Sequence, residues 1–135
     1  MTIELKRQPG APLAQVLQIR SHALVTDVGE AEGGTDAGPS PHDLYDAALA
    51  SCKALTVMWY ARKKGIPVDD IHTVIEHDNS QERSGVYKLS ARLQISGALT
   101  DAQLDEVEKV AMKCPVHKLM ATVRTEITTV VERRP

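Results

Sequence analysis

The stretch from Leu44 to Ala61 constrains this chain most. It carries Leu44, Ala47, Ala48, Leu49, Ala50, Leu55, Val57, Met58 and Trp59 and is apolar almost all the way round. A solvent-facing helix shows one apolar stripe, whereas a helix apolar on every side is buried on most of them. Its start is well signalled. Ser40 is placed to cap, Pro41 occupies the first helical position, and Asp43 stands where it closes a capping box. Arg62, Lys63 and Lys64 suit the negative end of the helix dipole, and Gly65 and Pro67 stop it. A single domain of 135 residues has too little other chain to cover such a helix on all sides, so a second copy is the expected cover.

The remaining pattern is mixed. Residues 2–7 and 13–28 read as strands, the second run turning back at Arg20–Ser21–His22 as a hairpin. Gly29 to Pro41 holds too many glycines and prolines to be an element. Residues 71–79 and 85–97 alternate as two strands joined through Asn79 to Gly85. A second helix starts at Thr100, with Gln103 completing its capping box, and runs to the Cys114–Pro115 step. Val116 to Ala121 has room for one or two further turns, and Val123 to Val131 alternates as a closing strand. The order is β-β-β-α-β-β-α-β, an α+β arrangement in one domain spanning 1–135 around a buried central helix.

Composition narrows the function. Sixteen Lys and Arg against eighteen Asp and Glu give a net charge of -2, and there is no Phe. A phosphate-backbone binder is ordinarily basic and offers aromatic stacking platforms, so nucleic acid is not expected as a partner. No apolar run reaches a membrane span, and Met1 to Gly10 lacks an apolar core, so the expected compartment is the cytoplasm. In that compartment Cys52 and Cys114 are either small buried hydrophobes or reactive thiols. Cys114 has local help: with Pro115 opening a new helix, its sulfur is the N-cap, where a positive dipole end should lower its pKa. Cys52 lies about three turns into its helix and has no such help. Cys114 and His117 form half of a zinc spacing, but His72 and His77 fall on opposite faces of a strand, so no metal is expected. The glycine-rich loop lacks both a dinucleotide fingerprint and a P-loop lysine, so no nucleotide or other cofactor is expected.

Three segments together carry a resemblance. They are Gly33-Gly34-Thr35-Asp36-Ala37-Gly38-Pro39-Ser40-Pro41-His42-Asp43-Leu44, then Ala47-Ala48-Leu49-Ala50-Ser51-Cys52, then Lys113-Cys114-Pro115-Val116-His117. In this order, with the cysteines 62 residues apart, the chain resembles the OsmC/Ohr family of thiol peroxidases from about Ile19 to Val131. The resemblance implies an intertwined homodimer with its active sites at the dimer interface. It also implies reduction of organic hydroperoxides, with Cys52 as the attacking thiolate, Cys114 as the resolving thiol and a dithiol as reductant. His42 stands where the family has a Glu ten residues before the first Cys. Arg20 is the upstream candidate for the family's activating Arg, and His42 and Lys53 are next in line. Leu55, Met58 and Met112 would favour apolar substrates, although each taken singly reads first as plain core. The competing reading is a non-catalytic protein of the same scaffold that holds a small apolar ligand between its subunits.

Overall fold

The computed structural model describes all residues, 1–135. Five strands and three α-helices follow in the order β1 (Ile3–Arg7), β2 (Gln15–Ile19), β3 (His22–Thr26), α1 (Pro41–Lys64), β4 (Asp70–Asp78), β5 (Lys88–Ser96), α2 (Asp101–Met112) and α3 (Pro115–Ala121). Short 3-10 turns lie at Glu30–Glu32 and Glu82–Ser84. The chain packs as two compact units, residues 1–48 with 75–90, and residues 49–74 with 91–135. It is mixed α+β, as the periodicities predict.

In the first unit, β1, β2 and β3 form an antiparallel sheet. Ile19 faces His22 across a two-residue turn, and Arg20 takes a left-handed φ of 52° to make it. Register places Leu5, Leu17 and Leu24 in one cross-strand row. Only Leu17 of the three is buried. The glycine-rich loop is held by a residue outside its motif. The buried Asp27 carboxylate accepts hydrogen bonds from the backbone N–H groups of Val28 (2.8 Å), Thr35 (3.1 Å) and Ala37 (3.1 Å), and from the Thr35 hydroxyl. Those bonds, led by Ala37 and Val28, hold its carboxyl below the ordinary aspartate value. Gly34 and Gly38 are required by close approach, because a Cβ at either would run into the carbonyl oxygen of Val28 or Val25 respectively.

The start of α1 is as expected. Asp43 N–H donates to Ser40 Oγ at 3.1 Å, and Ser40 N–H donates to Asp43 Oδ2 at 2.9 Å. The all-round burial expected for this helix does not occur within the chain. Only the stripe Asp46, Leu49, Lys53, Val57 and Ala61 is buried, at the i, i+3/i+4 spacing of one face. Leu55 and Trp59, on the remaining surface, are 67% and 62% exposed. The reason is stoichiometric: one chain supplies enough structure to cover one face of this helix.

In the second unit Val57, Ala61, Ile66 and Val107 form the core, with Ile71, Leu93, Ile95 and Ala111 packed against it. β4 and β5 pair as a two-stranded sheet, and β5 alternates cleanly between exposed and half-buried residues. Thr100 and Gln103 make the reciprocal capping box of α2. The expected closing strand is not formed. Residues 123–135 have no regular structure and are exposed, and no strand of this chain pairs with them.

Candidate functional site

The two thiols meet in the second unit. Pro115 cannot continue α2, so the chain reverses at Lys113–Cys114 and restarts as α3. That break points the Cys114 sulfur at the first turn of α3, where it accepts the His117 N–H at 3.4 Å. Cys114 is completely buried, whereas Cys52 on α1 is half-buried, and both are free thiols. Cys52 is close enough to Cys114 to act on its ionisation, and the Cys52 sulfur meets the Thr56 hydroxyl at 3.9 Å.

The N-cap geometry expected of Cys114 is present, but the expected fall in its pKa is not. Burial pushes the Cys114 thiol up, and the neighbouring Cys52 thiol adds to the rise. The His117 N–H and the Lys53 charge act in the opposite sense without offsetting burial. A dipole end is worth a few tenths to about 1 kcal/mol near a surface. Taking a thiolate wholly out of water costs more than that.

Lys53 is the residue that the sequence reading undervalued. Its side chain lies under the α1 stripe, 6% exposed. The Nζ group donates to the Ala111 carbonyl at 2.8 Å, near the end of α2, and to His117 Nδ1 at 2.9 Å on α3. With Nδ1 accepting, His117 carries its proton on Nε2. One ammonium therefore ties α1, α2 and α3 together beside the thiols. The available signal was a lysine within an apolar helix, one turn from Leu49 and one turn from Val57.

The first unit holds a separate polar cluster. Asp46 is buried, and its carboxylate accepts the Tyr87 hydroxyl at 2.7 Å and His77 Nδ1 at 2.6 Å. Burial, then this bond to a carboxylate, pushes Tyr87 up to about 12. His42 Nε2 bonds Glu82 at 3.0 Å, and its ring stands edge-on to Tyr87. Pro41, His42, Tyr45, Glu82 and Tyr87 line an open cleft of about 400 Å³. Thus, of the four nominated site residues, the structure brings Cys52 and Cys114 together. It places His42 against Glu82 and Arg20 at an exposed hairpin tip. No group of three or more His, Cys, Asp or Glu side chains converges as a metal site, and no helix is long and apolar enough to cross a membrane.

An α+β chain with a glycine-rich loop, a long helix bearing one cysteine and a Cys-Pro helix restart bearing the other defines a two-thiol class of protein. Comparison with known proteins assigns its family. The OsmC-like protein family matches residues 33–130, and the chain belongs to that family. Solved structures share the fold. An OsmC-like protein of Mycoplasma pneumoniae is 16% identical, with a TM-score of 0.70 over 91% of this chain and 89% of that one. An organic hydroperoxide resistance protein OsmC of Legionella pneumophila is 19% identical, with a TM-score of 0.63 over 90% of each chain. The organic hydroperoxide resistance protein OhrB of Bacillus subtilis is 20% identical, with a TM-score of 0.57 over 90% of this chain and 92% of that one. No curated protein sequence matches the chain.

Proposed function

We propose that this protein reduces organic hydroperoxides through a cycle between the Cys52 and Cys114 thiols and their disulfide. The observation that carries this reading is the unequal burial of two adjacent free thiols, Cys52 half-buried and Cys114 fully buried. The accessible sulfur is the one a peroxide can meet. Cys52 thiolate attacks the distal peroxide oxygen, the O–O bond breaks, and the alkoxide leaves as an alcohol after taking a proton. Cys52 is then a sulfenic acid. Cys114 attacks its sulfur, the disulfide forms, and the hydroxyl leaves with the Cys114 proton as water. A dithiol reductant returns both thiols and is itself oxidised to a disulfide. Leu55 and Met112, expected as core if not as substrate contacts, are 67% and 61% exposed, and they favour an alkyl peroxide over hydrogen peroxide.

The working unit in this reading is a homodimer in the cytoplasm. Leu55 and Trp59 on α1, Ile3, Leu5 and Leu24 on the sheet, and the strand-patterned tail with Ile127 and Val130 are all apolar and exposed. Soluble monomers rarely leave that much apolar surface uncovered. Sedimentation at micromolar protein is expected to give a dimer, and a folded monomer would remove this part of the reading. Arg20 and His42 belong to the first unit, and their part in activating Cys52 is tested by substitution.

The central test is thiol titration before and after one equivalent of an alkyl hydroperoxide, with hydrogen peroxide for comparison. Loss of two thiols with an intramolecular disulfide is expected. Unchanged thiols would favour a binding protein on the same scaffold.

A further inference from the structure

We propose that Lys53, clamped between the Ala111 carbonyl and His117, is the positioned counter-charge for Cys114 when that thiol attacks its partner sulfur. The inference rests on the Cys52–Cys114 cycle and concerns its second step. Cys114 has no exposed surface, so water cannot stabilise its thiolate. Within the protein the His117 N–H favours it first and the Lys53 charge adds to that. The titratable groups that act on Cys114 are Cys52 and Lys53 from α1, while His117 of α3 gives the sulfur its backbone N–H and holds Lys53 with its ring. Of these, Lys53 is the standing cation, because His117 Nδ1 accepts a hydrogen bond from the Lys53 ammonium and the imidazole is then neutral.

An ammonium has three N–H groups, and two are committed, at 2.8 Å and 2.9 Å. Those two bonds come from α2 and α3, the helices that flank Cys114 in sequence. They fix a long, flexible side chain whose charge would otherwise reach water. The charge acts on Cys114 in the sense that favours its thiolate. Burial keeps the resting thiol protonated, and the lysine keeps its conversion to a nucleophile within reach. No proton is transferred to Lys53. The Cys114 proton departs with the leaving group, and Lys53 remains an ammonium throughout. It touches neither peroxide nor the breaking O–O bond, so it is a positioning residue.

The test uses the full-length protein and a disulfide probe that needs no peroxide. The aromatic disulfide DTNB first converts the half-buried Cys52 to a mixed disulfide and releases one thionitrobenzoate. Cys114 thiolate then attacks the Cys52 sulfur of that disulfide, releasing a second thionitrobenzoate and giving the Cys52–Cys114 bridge. The second release is first-order and is followed by its absorbance against pH. Lys53→Met is expected to slow it about tenfold at pH 7.5 and to move its pH midpoint up by about one unit, the two being the same effect. Lys53→Arg restores the midpoint while changing the amplitude or rate modestly. His117→Ala, which removes one arm of the clamp and perturbs the core less, shifts the midpoint in the same direction by a smaller amount. Unchanged midpoints in Lys53→Met and His117→Ala would overturn the proposal. If Lys53→Met fails to fold by circular dichroism, the His117→Ala midpoint decides alone. Failure of the underlying cycle looks different: wild-type protein would then release no second thionitrobenzoate.

Discussion

Asp46 and Lys53 lie seven residues, about two turns, apart on the same buried stripe of α1, and each brings an ionisable group under the helix. Their surroundings differ in kind. Both carboxylate oxygens of Asp46 are filled by side chains, Tyr87 Oη on one and His77 Nδ1 on the other. Lys53 is held by a backbone carbonyl and one imidazole nitrogen, with a fully buried thiol in its field. A buried charge whose partners are complete fixes the packing of the elements that supply them. A buried charge with one unused donor beside a nucleophile is available to the chemistry of that nucleophile. The first end of α1 therefore serves architecture, and in the proposed cycle the second serves the thiols.

Substitutions can break this contrast. Cys52→Ser should abolish hydroperoxide-dependent thiol loss entirely while changing unfolding free energy by no more than about 1 kcal/mol. Cys114→Ser should still consume one equivalent of hydroperoxide, but stop at a sulfenic acid that dimedone traps, or pass on to sulfinic acid. Mass spectrometry reads both. Abolition of the first oxidation in Cys114→Ser would reverse the two roles.

Asp46→Ala should do the opposite: little effect on the sulfur chemistry of correctly folded protein, but a loss of about 3 kcal/mol in urea unfolding, since it removes the buried acceptor shared by the Tyr87 hydroxyl and His77 Nδ1. Tyr87→Phe is the milder version, at about 1.5 kcal/mol, the low end for a lost hydrogen bond to a charged group.

The alkaline limb of stability sharpens the same point. Tyr87 ionises near 10 when unfolded and at about 12 when folded. Between those values the unfolded chain holds fewer protons, so stability present below pH 10 drains away as pH rises toward 12. Tyr87→Phe should flatten that limb. Asp27 acts at the other extreme. Its carboxyl is depressed by the loop amides, so the stability it supplies is present above the ordinary aspartate value and is lost as pH falls through its native one. Asp27→Asn should flatten the acid limb, and an unaltered acid limb would deny the carboxylate its role in holding the loop.

The smallest expected effect is at Arg20. If Arg20 serves Cys52 as proposed, Arg20→Ala should slow iodoacetamide alkylation of Cys52 at pH 7 by a few-fold. An unchanged rate would leave activation to other groups, with His42→Ala as the next substitution.

Much of this could be read along the chain. Ser40, Pro41 and Asp43 begin α1, Thr100 and Gln103 begin α2, and Pro115 forces the restart that makes Cys114 a cap. These are contacts between residues three or four apart, and sequence order dictates them. The family's motifs are legible for a related reason: Gly34 and Gly38 leave no room for a side chain, whatever surrounds the molecule.

Other features were decided across distance. The loop's anchor is Asp27, which sits before the motif and reaches eight to ten residues ahead. The tail alternates like a strand through Val123, Thr125, Ile127 and Thr129, yet alternation only states that a strand could have two faces. A strand exists where another strand supplies its hydrogen bonds, and this chain supplies none there. The same holds for the Cys114 thiol. Its cap is local and argues for a lowered pKa, while its burial is the work of the whole core and wins. Sequence by itself determined where helices start, where they break and which two sulfurs are offered. Only the tertiary structure decided that those sulfurs meet, that one is reachable and the other is not, and that Lys53 lies beneath its helix rather than in water. Burial and long-range pairing are sums over the packed chain, and no short window of residues contains them.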